Sequence, residues 1–184
     1  GGQGSGGEPV EAGAPASVSR RVAYVGASDF NRLTWGDQPP LDLVEHELGH
    51  TLGWVHSGID ATGAYLSALD VMSNSAAPRE ADPTRRDAPD TIGVQRVIAG
   101  WIEAAEVVQA DDRAEVVLAP STGPAVRDAT RLLVLPVGST SFLTVELLEA
   151  AGHHDHLPAG GVAVHRVELG GGGLPTVVDP LVGS

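Results

Sequence analysis

The chain has no cysteine and no lysine; its eleven basic residues are all arginine. Without thiols, neither a disulfide framework nor a thiolate metal site can form. Acidic side chains outnumber basic ones 24 to 11, for a net charge of −13. That balance argues against nucleic acid as a partner, because phosphate recognition needs a basic face. No apolar run approaches the roughly 20 residues of a membrane-spanning helix. No Asp-x-Asp-x-Asp-Gly loop occurs, so a calcium site has no sequence support. A serine nucleophile elbow, a phosphate loop and a dinucleotide fingerprint are also missing, as is any internal repeat of helical or propeller period.

What remains is ordinary globular material. Hydrophobic residues make up 42% of 184 residues, enough for a core and for one large or two small domains. Arginine without lysine, with abundant Ala, Gly, Val and Pro, suggests a GC-rich bacterial genome. The start at Gly1-Gly2 reads as a mature or excised segment. Residues 1–19 are rich in Gly, Pro, Ala and Ser and read as a flexible lead.

The richest segment is His46-Glu47-Leu48-Gly49-His50-Thr51-Leu52-Gly53-Trp54-Val55-His56. On a helix His46 and His50 are i and i+4, so both rings leave one face. Zinc takes nitrogen ligands in a tetrahedral shell, and a catalytic site keeps one position open. Glu47 is the natural general base beside such a site. Gly53 allows the sharp turn that brings His56 back to the same metal. A bare His-Glu-x-x-His arises by chance on helices; Gly53 and His56 in register make the run specific.

Periodicity outlines the rest. Val22 to Gly26 reads as a strand. Pro39-Pro40 open a helix from Leu41 to Leu52, with Leu41, Val44, Leu48 and Leu52 as its buried stripe. Ser57 to Ala68 and Ala76 to Pro89 read as irregular surface segments suited to specificity loops. Asp90 is placed to N-cap a helix to about Ala99, with Val94, Val97, Ile98 and Trp101 inward and Gly100 as the stop. After Trp101 come Val- and Leu-rich runs at 115–118, 131–137, 142–148 and 162–167, an all-β pattern. The expected fold is therefore α+β. A region at 20–101 carries the histidine helix, and 102–184 forms a small sandwich-like sheet or an open one packed on it.

The histidine run resembles the long zinc motif of the metzincin metallopeptidases, His-Glu-x-x-His-x-x-Gly-x-x-His. In that family a methionine turn lies beneath the ligands; Met72, the only methionine, sits in Ala68-Leu69-Asp70-Val71-Met72-Ser73. Ala23 to Gly26, the Trp35-Gly36 pair and the zinc motif look like the gametolysin type. Ala99-Gly100-Trp101-Ile102, Phe142 to Leu147 and Gly160 to Val167 are similar to segments of the immune-inhibitor-A type. The likeness spans roughly Val22 to Leu169. Two departures stand out. Only 45 residues precede His46, fewer than metzincin catalytic domains carry. Some members use a tyrosine two residues after the methionine as an extra ligand, and here that residue is Asn74.

The resemblance implies a secreted bacterial zinc endopeptidase acting on protein or peptide substrates. It implies metal ligands His46, His50 and His56, Glu47 as general base, and Met72 as the floor. A rival reading is a zinc-bearing but non-catalytic binding module derived from a metzincin. Elsewhere, Gly152-His153-His154-Asp155-His156 reads as a solvated loop, His165 as a half-buried strand imidazole, and Glu146 as a structural partner of Arg166. Asp70 reads as fixing the methionine turn through backbone hydrogen bonds.

Overall fold

A computed structural model describes residues 3–8, 20–58, 64–111, 113–169 and 175–180. Within the segment read as a flexible lead, Gln3–Glu8 forms strand β1, antiparallel to β2 (Arg20–Tyr24), and both lie against helix α2. The rest of that lead, and Gly63 of the first surface loop, lie outside the described residues. The helices are α1 (Arg32–Trp35), α2 (Asp42–Thr51), α3 (Ala77–Ala81) and α4 (Gly93–Ile98). The second half carries β3 (Val107–Gln109), β4 (Leu132–Pro136), β5 (Ser141–Leu148), β6 (Gly161–Leu169) and β7 (Pro175–Pro180).

The architecture is mixed α and β. The second half is one open five-stranded sheet in the order β3-β4-β5-β6-β7, not a sandwich among the described residues. The β3–β4 pair is parallel and the others antiparallel. The run at 115–118 forms no strand; only Leu118 bridges to Thr130. Alternation along β5 and β6 puts Thr144, Glu146, Leu148, His165 and Val167 on the buried face. There Val167 packs with Ile92 and Val94, and Leu69 and Phe142 close around them. The sheet thus packs on α4 and on the loop before Met72.

Three details differ from the sequence pattern. The leucine side of α2 is not its buried side: Leu41, Leu48 and Leu52 are 47%, 49% and 40% exposed, whereas Asp42, His46, Glu47 and Gly49 are buried. The helix is held instead by polar anchors. Asp42 pairs with Arg79 at 2.6 Å, Glu45 accepts from the Ala88 N–H at 2.6 Å, and the Leu41 and Asp42 N–H groups donate to the Arg86 carbonyl. Along α4, Val94 is buried but Val97, Ile98 and Trp101 are partly exposed, and Gln95 and Arg96 take the interior. Asp90 does not cap α4; it accepts from the Thr91 N–H and pairs with Arg96. The cap comes from the sheet, where both Glu146 oxygens accept from the Gly93 N–H at 2.9 and 3.0 Å. Gly100, at φ +75°, ends the helix as the sequence suggests.

Candidate metal centre

Helix α2 ends in a turn that returns the chain toward its own last residues. The Gly53 N–H donates to the His50 carbonyl and the Trp54 N–H to the Gly49 carbonyl, each at 3.1 Å, while Gly53 holds φ +92°. This is the Schellman arrangement, and a left-handed residue at its centre favours glycine. The returning segment is then pinned from two sides. The Gln95 amide donates to the Val55 carbonyl at 2.5 Å, and the Ser57 N–H donates to the Met72 carbonyl at 3.1 Å. His56 is thereby set opposite His46 and His50.

The three rings converge. His56 Nε2 lies 3.2 Å from His46 Nε2 and 2.9 Å from His50 Nε2, and one ligand atom from each residue falls within 4.8 Å of the others. Around a tetrahedral zinc with bonds near 2 Å, ligand nitrogens stand about 3.3 Å apart. The outer contacts fix the tautomers. His46 Nδ1 lies 2.7 Å from the Val71 carbonyl and His50 Nδ1 lies 3.0 Å from the Trp54 carbonyl. A carbonyl only accepts, so each Nδ1 carries the proton and each Nε2 presents a bare lone pair. Burial holds the His46 pKa below its ordinary value, with the neighbouring His50 adding to the effect. His56 is pushed down to about 4, first by burial and then by His50 and His46. Neutral imidazoles with lone pairs turned inward are what a divalent cation needs. This group can hold a metal ion.

Met72 lies fully buried beside this group, in a cluster with Trp54, Val71 and Ala88. Its turn closes through the Ser73 N–H donating to the Asp70 carbonyl at 2.9 Å. The Asp70 carboxylate accepts from the Met72 N–H at 3.1 Å, the Ser57 hydroxyl at 2.5 Å and the Thr91 hydroxyl at 2.8 Å. Asp70 therefore fixes the turn, and its complete burial pushes its pKa up to about 6 against those donors. The same turn aims the Val71 carbonyl at His46.

Glu47 is 4% exposed, and its Oε2 has no hydrogen-bond partner. Asn74 turns away, donating to Glu80 at 2.8 Å. A residue that the sequence pattern did not single out enters instead. The Tyr65 hydroxyl stands 3.2 Å from His56 Nδ1 and 3.4 Å from its Nε2, with ring centroids 5.1 Å apart. Gln95 was missed as well. Neither sits in a motif; each reaches the centre only through the chain's return.

The second histidine cluster is not a solvated loop. His154 is 1% exposed with Nε2 3.0 Å from the Leu69 carbonyl, and His156 Nε2 lies 2.9 Å from the Ala68 carbonyl. Arg85 joins it by a 2.5 Å pair to Asp155. Glu146 does not meet Arg166, which faces the other side of β6 and pairs with Glu168. Glu146 instead takes the Gly93 N–H and the Ser121 hydroxyl, and lies 3.4 Å from the buried His165. Burial pushes Glu146 up to about 7 and His165 down to about 4. His165 is fully rather than half buried.

No protein-family model, curated protein or solved structure matches the chain. No helix among the described residues is long and apolar enough to cross a membrane.

Proposed function

We propose that the chain is a zinc-dependent endopeptidase of the metzincin kind, exported from a bacterium and acting on protein or peptide substrates. The observation that carries this reading is the convergence of the Nε2 atoms of His46, His50 and His56, the first two on the helix that also bears Glu47 and each with its Nδ1 against a main-chain carbonyl. His46, His50 and His56 would hold the zinc, leaving a coordination position open. Zinc there would supply Lewis acidity toward a peptide carbonyl and toward water. Glu47 takes the proton of the attacking water and passes it to the leaving amine, so the amide C–N bond breaks as a C–O bond forms. Met72 and Asp70 keep the floor and the His46 carbonyl acceptor in place.

One observation favours the rival, a zinc-bearing module without catalysis: Glu47 Oε2 is closed off from solvent. Zinc stoichiometry and casein hydrolysis, measured on wild type and Glu47→Gln, separate the two. One zinc in both with hydrolysis in wild type alone is the expected result. One zinc in both and hydrolysis in neither would establish the non-catalytic module. Hydrolysis retained in Glu47→Gln would remove Glu47 from the mechanism.

A further inference from the structure

The three ligand histidines are not supported alike. His46 and His50 each meet a main-chain carbonyl at Nδ1, Val71 at 2.7 Å and Trp54 at 3.0 Å. Those acceptors belong to the methionine turn and the helix-ending turn, and both are built into the backbone. His56 meets no carbonyl at Nδ1 among the described residues. What stands there is the hydroxyl of Tyr65, at 3.2 Å, on a side chain 39% exposed.

The proton count gives this contact its meaning. A neutral imidazole carries one ring proton. On His56 Nε2 that proton can bridge to His50 or His46, 2.9 and 3.2 Å away, and the ring then offers no lone pair to a metal. On Nδ1 it needs an acceptor, and only then is Nε2 free. A phenol oxygen can accept that N–H while its own proton points to solvent. The hydroxyl lies at similar distances from both ring nitrogens, off the in-plane axis of either, so the ring must turn for its Nδ1–H to point at the oxygen.

We infer that Tyr65 is a positioning residue for the metal centre: its hydroxyl accepts the Nδ1 proton of His56 and thereby selects the ligand tautomer of that ring. The inference rests on the proposed zinc reading. Tyr65 acts through His56 and takes no coordination position. It also makes the third ligand depend on the segment between His56 and Met72, where the other two depend on the main chain.

The test compares Tyr65→Phe with wild type, as the full chain, using zinc alone and a competing chelator. Phenylalanine keeps the ring contacts with His56 and removes only the acceptor. Removing an outer hydrogen-bond partner of a metal ligand weakens affinity by about 10-fold to 100-fold; about tenfold is expected here, because water can reach the vacated position. The metal-free Tm should not move, and the visible spectrum of the cobalt(II) form should keep its shape. A zinc affinity within about twofold of wild type would overturn the inference while leaving the zinc reading intact. So would a fall in metal-free Tm that accounts for the loss, which would make the role one of packing. A changed cobalt spectrum would place the hydroxyl among the ligands and overturn the outer role. Failure of wild type itself to bind zinc would remove the zinc reading and this inference together.

Discussion

Gly49 and Met72 are packed so closely that a Cβ on Gly49 would collide with the Met72 sulfur and come within 2.6 Å of Trp54 Cε3. The helix turn between His46 and His50 therefore rests directly on the methionine and the indole, with no side chain between. In an exposed helix Gly→Ala gains about 1 kcal/mol. Here overpacking, which costs about 1–3 kcal/mol, wins because Met72 and Trp54 are themselves buried and cannot retreat. Gly49→Ala should lower Tm and weaken zinc binding together. A Tm at or above wild type would show that the floor yields.

Zinc should act as a folding ligand. At 100 times its Kd, a ligand bound only by the native state adds about 2.7 kcal/mol, or about 5–10 °C in Tm for a chain of this size. Thermal melts with zinc and with chelator should differ by that amount in wild type. In His50→Ala the difference should vanish; an undiminished shift there would place the metal elsewhere.

Glu146 predicts a pH dependence opposite to the familiar one. Its folded pKa is raised to about 7 by complete burial, above the ordinary 4.5. Its stabilising contribution is thus fully present below about pH 4.5 and is lost as pH rises through about 7, a change on the order of 3 kcal/mol. Asp70, raised to about 6, works in the same direction; His165, lowered to about 4, works the other way, losing stability as pH falls below its ordinary 6.5. Glu146→Gln removes one of these titrations. The Tm of wild type relative to that variant should fall between about pH 5 and pH 8. Parallel curves would mean that Glu146 is ionised throughout.

Arg131 is 1% exposed and gathers the carbonyls of Pro120, Ser121 and Gly123 at 3.1, 2.6 and 2.9 Å, with Glu106 at 3.5 Å. Met fills the same space but donates nothing, leaving buried carbonyls and a carboxylate uncompensated. Arg131→Met should cost about 3–5 kcal/mol in a denaturant titration. A loss below about 1 kcal/mol would mean that water replaces the guanidinium.

The parts of the site that were legible in sequence are the local ones. His46 and His50 are one helical turn apart, Gly53 marks the reversal, and Asp70 precedes its turn. Those relationships depend only on backbone geometry over a few residues. The buried face of α2 was not legible, because Asp42, Glu45 and Gly49 find their partners in Arg79, Ala88 and Met72, and apolar spacing does not record those contacts. The strands β4, β5 and β6 announce themselves as Val and Leu runs. What Glu146 does is not announced: its helix-capping contact spans 53 residues. Read as the partner of Arg166 on the next strand, it would form an ion pair that the alternation of β6 forbids.

The contacts of His154 and His156 with Leu69 and Ala68, and of Glu146 with Gly93, bear on how such a chain can be inherited. A fragment ending at Trp101 would keep all three nitrogen donors. It would still leave the approach to the methionine turn unsupported and the start of α4 uncapped. Recombination at that boundary, swapping in another sheet, would have to bring two imidazoles and a carboxylate at matching positions. Shuffling therefore favours the two halves travelling as one unit.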